Sequence, residues 1–185
     1  EGQSIQWAFE TVRGPVMPML LANALETDLL VAALPARTIR GAAQDLATPL
    51  SQVRAARAPL LLVRDGPARR APVVVLGSPD ASAQAVATPV SALARQFGSP
   101  VVFLMVGEPG AGGEGERWEA RVAGQLAADG VPVEFRHLPG DGERLHEQLV
   151  RIRPGLVAIA GARALEEAAT LGLEKLNCTL LLLPS

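Results

Sequence analysis

One cysteine, Cys178, stands in the whole sequence, which excludes an intrachain disulfide and any cysteine-based zinc centre and suits a reducing compartment. Histidine is almost as scarce. His137 and His146 are the only two, and with no cysteine cluster and no His-Glu-x-x-His spacing around them no metal centre is expected. A charge excess is missing too: 17 basic against 19 acidic residues give a net charge of -2, which offers no general attraction for nucleic acid or an acidic membrane. The local group Arg54, Arg57, Arg64, Arg69 and Arg70 reads as a solvated helix face followed by a linker. No apolar run approaches the ~20 residues that cross a bilayer, and the opening Glu1-Gly2-Gln3-Ser4 has no signal-peptide pattern. The expectation is a cytoplasmic chain, large enough at 185 residues to bury about 70% of its unfolded surface.

What is present is a repeat. Residues 71–185 read as five short apolar strands alternating with four amphipathic helices, and the last part of that pattern occurs once before, in residues 5–66. Phe9–Gly14 matches Phe135–Gly140 in spacing, Asp28–Ala33 matches Gly155–Ala160, and Pro59–Val63 matches Thr179–Leu183. A repeat of this length is evidence of architecture. It divides the chain into residues 1–66, the closing half of one module; a linker at 67–71; and residues 72–185, a complete second module. The start in mid-repeat leads to the expectation of further sequence upstream.

In the first copy, Ile5, Trp7 and Phe9 alternate with polar residues as in a half-buried strand. Gly14-Pro15 opens a helix with Met17, Leu20, Leu21 and Leu25 on one side, Leu29–Leu34 is a continuous apolar strand, and Leu46, Leu50 and Val53 mark another helix before Pro59–Arg64. In the second copy, strands at Pro72–Leu76, Pro100–Val106, Val131–Leu138, Leu156–Ala160 and Thr179–Leu183 enclose four helices. The first is expected to face the sheet with Val86, Val90, Leu93 and Phe97 and to kink at Pro89. The second has Trp118, Val122 and Leu126 aligned, the third Leu145, Leu149 and Ile152, and the fourth runs over Leu165–Leu176. Apolar strands alternating with helices predict an α/β fold, a doubly wound parallel sheet of Rossmann-like type with helices on both faces.

The order and spacing of these elements, with Val75-Leu76-Gly77-Ser78-Pro79 at the end of a first strand, the Phe-x-x-x-x-Gly entry to the third helix and the closing strand Ala58–Val63, resemble the universal stress protein family. The resemblance spans nearly the whole chain. It implies a closing strand at the sheet edge that pairs antiparallel with its counterpart, so Pro59–Arg64 and Thr179–Leu183 are expected to pair within the chain. It also implies a place for an adenine nucleotide. ATP-binding members carry an Asp at the tip of the first strand and a Gly-x-x-Gly that is followed after about nine residues by Gly-Ser or Gly-Thr, bare backbone that approaches phosphate closely. Here Leu76 stands in place of the Asp, Gly161 begins the signature, Ala164 replaces its second glycine, and Glu174-Lys175 falls where the final pair belongs. In the first copy Ala33, Ala36 and Leu46-Ala47 occupy the corresponding places.

The residues left to hold a nucleotide, if one binds, are Gly77, Ser78, Asp80, Val106, Gly161 and Arg163. Asp80 stands in for the missing carboxylate and the Arg163 guanidinium for phosphate-binding amides; the bland reading of Ser78–Ser82 is a turn and helix cap. Gly110–Gly115 matches G-x-G-x-x-G, but Glu108, Glu114 and Glu116 would set carboxylates beside a pyrophosphate, and a mobile loop over Glu108–Glu116 is the better account. Ser185 and Cys178 have no base nearby in sequence, and His137 with His146 and Asp141 makes a poor acid–base set. No catalytic residue is therefore assigned. The expectation is a non-enzymatic, universal-stress-like regulatory or scaffold protein, a homo-oligomer with a degenerate nucleotide site and no resident cofactor, acting through protein association. ATP or AMP binding by a stress sensor, and service as the cytosolic regulatory part of a transporter, are the alternatives.

Overall fold

The computed structural model of the chain describes residues 29–34, 58–64, 71–106, 113–138, 142–161, 164 and 178–183. The expected strand at 5–12, the helices near 15–25, 46–53 and 165–176, the 67–70 linker and most of the glycine-rich segment lie outside those residues. The described elements are β1 (Leu30–Leu34), β2 (Leu60–Arg64), β3 (Val73–Gly77), α1 (Ala83–Phe97), β4 (Val101–Val106), α2 (Glu114–Ala128), β5 (Val133–Leu138), α3 (Gly142–Ile152), β6 (Leu156–Ala160) and β7 (Thr179–Leu183). They form one seven-stranded sheet in the order β1-β2-β7-β6-β3-β4-β5. Every neighbouring pair is parallel except β2 and β7. The fold is therefore the α/β, doubly wound arrangement that the sequence pattern predicts.

The strands are runs of branched and aliphatic residues because both faces of the sheet are covered. On one face Leu60, Leu62, Val74, Leu76, Val157, Ile159, Leu180 and Leu182 pack with Leu145 and Leu149 of α3. On the other, Val73, Val75, Phe103, Leu156, Ala158 and Leu181 pack with Val86 and Val90 of α1 and with Trp118, Val122 and Leu126 of α2. Successive residues of a strand alternate between these two cores, as the pleat requires.

Helix α1 starts at the N-cap Ser82, whose hydroxyl accepts from the Ala85 amide, and ends at the left-handed Gly98, a position that glycine fills without steric cost. It passes through Pro89 as one helix. Its buried stripe is Val86, Ala87, Val90, Ser91 and Ala94. Phe97, expected on that stripe, is exposed and Leu93 only partly buried, because small residues at 87, 91 and 94 turn the contact line away from them. Helix α2 begins at Glu114 rather than after Glu116. Glu114 and Glu116 thus belong to its first turn, where free amides and the helix dipole favour carboxylates.

At one edge, among the described residues, β5 carries Glu134 and Arg136, joined at 2.7 and 2.9 Å. Hydrogen bonding from Arg136 holds the Glu134 carboxyl below the usual range. Charges on an edge strand discourage pairing with another chain.

The β2–β7 seam repeats the symmetry seen in the sequence. Leu60 pairs with Leu182, Leu61 with Leu181 and Leu62 with Leu180, so a pseudo-twofold axis passes between Leu61 and Leu181 and exchanges Leu60 with Leu180. The expected antiparallel pairing of these two strands is therefore present. The flanking registers agree, because Leu30 pairs with Leu60 and Val157 with Leu180. The axis accordingly equates Leu29 with Leu156 and Val31 with Ala158, as the repeat alignment does.

Candidate functional site

In the order β7-β6-β3-β4, the chain leaves β3 toward β4 and β6 toward β7. Connections that depart in opposite directions open a crevice beyond the carboxyl ends of the two strands, the point where open α/β sheets bind ligands. Gly77 is in register with Ala160, so the residues that follow, Ser78 and Gly161, meet at the crevice floor. This brings together three residues of the predicted set: Ser78, Asp80 and Gly161. A methyl group placed on Gly161 would lie 2.6 Å from Asp80 Oδ1, 3.2 Å from Asp80 Cγ and 3.2 Å from Ser78 Cβ. Gly161 also has φ of 95°, a conformation that disfavours any side chain.

Gly77 plays another part. A Cβ there would come 3.1 Å from the Trp118 ring and 3.4 Å from Phe103, so its bare backbone lets α2 approach β3. Trp118 is 1% exposed and stands edge-on to Phe103, ring centres 5.8 Å apart. Its indole N–H donates to the Ala81 carbonyl at 2.7 Å, while the Ala81 amide donates to the Ser78 carbonyl at 3.1 Å. These two bonds fix the turn that carries Ser78 and Asp80. Beside it an open groove of about 490 Å³ is lined by Asp80, Ser82, Gln84, Trp118 and Arg121 among others.

Leu76, which the sequence resemblance sets where ATP-binding members carry a carboxylate, is 3% exposed and belongs to the core on the α3 side, as does Ala164. Neither offers a polar atom to the crevice. The Val106 side chain and Arg163 lie outside the described residues. His137 is two strands from β3, and its Nε2 lies 3.2 Å from Glu119 Oε1 on α2, where it ties β5 to the helix. Among the described residues no group of three or more His, Cys, Asp or Glu side chains could hold a metal ion. Sequence reasoning assigned Trp118 to the core only; its indole contact to the turn depends on how α2 crosses β3, which helix periodicity does not encode. Arg121 was missed altogether, having no sequence signal beyond a polar helix position.

A universal stress protein from Archaeoglobus fulgidus superposes on 83% of this chain with a TM-score of 0.56 at 11% identity. The chain has the universal stress protein fold. It spans 60% of that relative's length. A member of the universal stress protein family from Burkholderia pseudomallei overlaps over 65% of this chain and all of its own at 18% identity, TM-score 0.48. A universal stress protein in complex with cAMP overlaps over 48% of this chain and 75% of its own at 14% identity, TM-score 0.37. These two superpositions are too loose to bear on the site. No family model matches the sequence, and no curated protein is significantly similar to it.

Gly161 gives the first test of this geometry. Gly161→Ala combines a strained φ with a collision against Asp80, and strain of this kind costs about 1–3 kcal/mol. Urea unfolding is expected to show a loss in that range; unchanged stability would mean that the Asp80 turn yields freely.

Proposed function

We propose that this is a non-catalytic regulatory or scaffold protein of the universal stress type, acting through association with protein and no longer holding a nucleotide by its phosphates. The observation that carries the first part is a difference between residues made equivalent by the pseudo-twofold axis. Leu156 and Ala158 are 2% and 0% exposed, whereas Leu29 and Val31 are 49% and 57% exposed. In the complete copy that face of the sheet lies under α1 and α2. The same face in the first copy keeps apolar side chains suited to a cover, and an apolar face of this kind marks an association surface. A second copy of the chain is the occupant the proposal names, since closed twofold pairing of identical faces is the commonest form of soluble assembly.

Sedimentation tests it. The chain is expected to be a dimer at micromolar concentration and Val31→Asp a folded monomer, because a carboxylate at the centre of an apolar contact is left without a partner. A monomeric wild type, or a Val31→Asp dimer, refutes association through this face.

The second part rests on Leu76 and Ala164, which stand where the resemblance sets a carboxylate and a phosphate-binding glycine and are buried in the core on the α3 side. The tip of β3 supplies no carboxylate for a base or ribose, since Leu76 is in the core. ATP binding that saturates the protein a hundredfold above Kd would stabilise it by about 2.7 kcal/mol, or about 5–10 °C in Tm for a chain of this size. The expected shift with millimolar ATP is none. A shift of several degrees revives the nucleotide-sensor reading, which Ser78, Asp80 and Gly161 would then serve.

A further inference from the structure

Among the described residues, strand β1 has a hydrogen-bonding partner on one flank only, since it ends the sheet with β2 beside it. The Leu30 amide donates to the Pro59 carbonyl at 2.9 Å. Backbone groups of successive strand residues turn to opposite flanks, so Leu30, Ala32 and Leu34 serve β2 while Val31 and Ala33 direct N–H and C=O to the open side. In the complete copy the equivalent of Val31 is Ala158, and its flank is occupied: β6 pairs there with all five residues of β3. The first copy thus keeps a strand position that its counterpart fills.

The two ends of the sheet differ in character. Strand β5 bears the Glu134–Arg136 ion pair, whereas β1 reads Leu-Val-Ala-Ala-Leu with no charge, an edge without the usual guard against pairing. Joining β1 of one copy to β5 of the next would set that ion pair against apolar neighbours and would propagate without closing, while β1 against β1 closes about a twofold axis. The chain already joins two edge strands antiparallel at β2–β7. Resting on the reading that a second copy meets this one at its first half, we propose that the two copies pair through β1, antiparallel, so that their sheets become one. The ladder requires Val31 and Ala33 to lie opposite the same two residues of the second copy. That register sets the exposed Leu29 and Val31 of both copies on one side of the joined sheet, within contact of each other across the new pair.

Amide exchange on the intact chain, read residue by residue below and above the concentration at which it dimerises, tests the pairing. Val31 and Ala33 are expected to exchange at least about tenfold more slowly in the dimer, as amides that gain a ladder bond do, while Ala32, bonded to β2 in both states, is unchanged. Ala33→Pro removes an outward N–H at a sheet edge, where proline is tolerated. It is expected to sediment as a monomer with the parent's far-ultraviolet spectrum and urea midpoint. An Ala33→Pro dimer, or a parent dimer whose Val31 and Ala33 amides exchange as in the monomer, overturns edge pairing and leaves association through the apolar face standing. Protection of both amides that does not vary with concentration overturns it too, because the edge would then be filled from within the chain. Assemblies that grow beyond the dimer join unlike edges and likewise overturn it. A chain that is monomeric at every concentration overturns this proposal together with the reading on which it rests.

Discussion

Trp118→Ala is expected to lower stability by about 3–5 kcal/mol, the range for truncating a buried tryptophan. Three contributions act together at this side chain. The ring is almost wholly buried and stands edge-on against Phe103, which stacks in turn on Phe135 with ring centres 4.8 Å apart. Its loss leaves a void over Gly77, whose missing side chain made room for it. The Ala81 carbonyl also loses the indole donor, and with it the restraint on the turn from Ser78 to Asp80. Trp118→Phe separates these effects: it keeps most of the apolar volume and removes the hydrogen bond, so a smaller loss of about 1–3 kcal/mol is expected. Both are read from urea midpoints, with the far-ultraviolet spectrum as control. Amide exchange adds a site-specific prediction, since Trp118→Phe should speed exchange at Ala81 more than in β6. A Trp118→Ala protein as stable as the parent would mean that α2 does not pack against β3 as described.

How much of this was legible in the sequence follows from what each feature depends on. Strands β3, β4, β6 and, after Thr179, β7 are apolar runs, the pattern of strands covered on both faces. The helical stripes at Trp118, Val122 and Leu126 and at Leu145 and Leu149 follow from a period of 3.6. The β2–β7 seam was legible through the family resemblance, which implies an edge strand that pairs antiparallel with its counterpart, and through the repeat, which sets two copies of that strand on a single chain. Side-chain placement set by crossing angles was not legible. Phe97 has the spacing of a core residue but lies outside the contact line, and at Gly77, read as a ligand glycine, a Cβ would crowd an aromatic ring. The meeting of Asp80 and Gly161, 81 residues apart, follows only once β3 and β6 are known to be neighbours. Propensity does not supply that neighbourhood; the doubly wound topology does.

The seam carries the other large effect. Leu60→Asp is expected to detach β1 and β2 from the sheet at a cost of about 4 kcal/mol or more, since it puts an unpaired carboxylate among aliphatic groups. Leu60 is fully buried, paired across the seam with Leu182 and along the parallel side with Leu30. It belongs to the same core as Leu62, Leu180 and Leu182, so the new charge is set among aliphatic side chains. The consequence differs across the molecule. Strands β3, β4 and β6 are held by their own parallel partners and by α1, α2 and α3, and their amides are expected to stay protected from exchange. Amides of β1 and β2 are expected to exchange freely. Strand β7, apolar after Thr179, would then present an open edge, the type of edge that recruits other chains, so the variant should self-associate through β7 even where the parent's own assembly is lost. Hydrogen exchange followed by mass spectrometry, with sedimentation at several concentrations, distinguishes the outcomes. Protection lost evenly over all strands would show one cooperative unit with no separable first half, and native protection throughout would show that the β2–β7 pairing contributes nothing to holding the first copy in place.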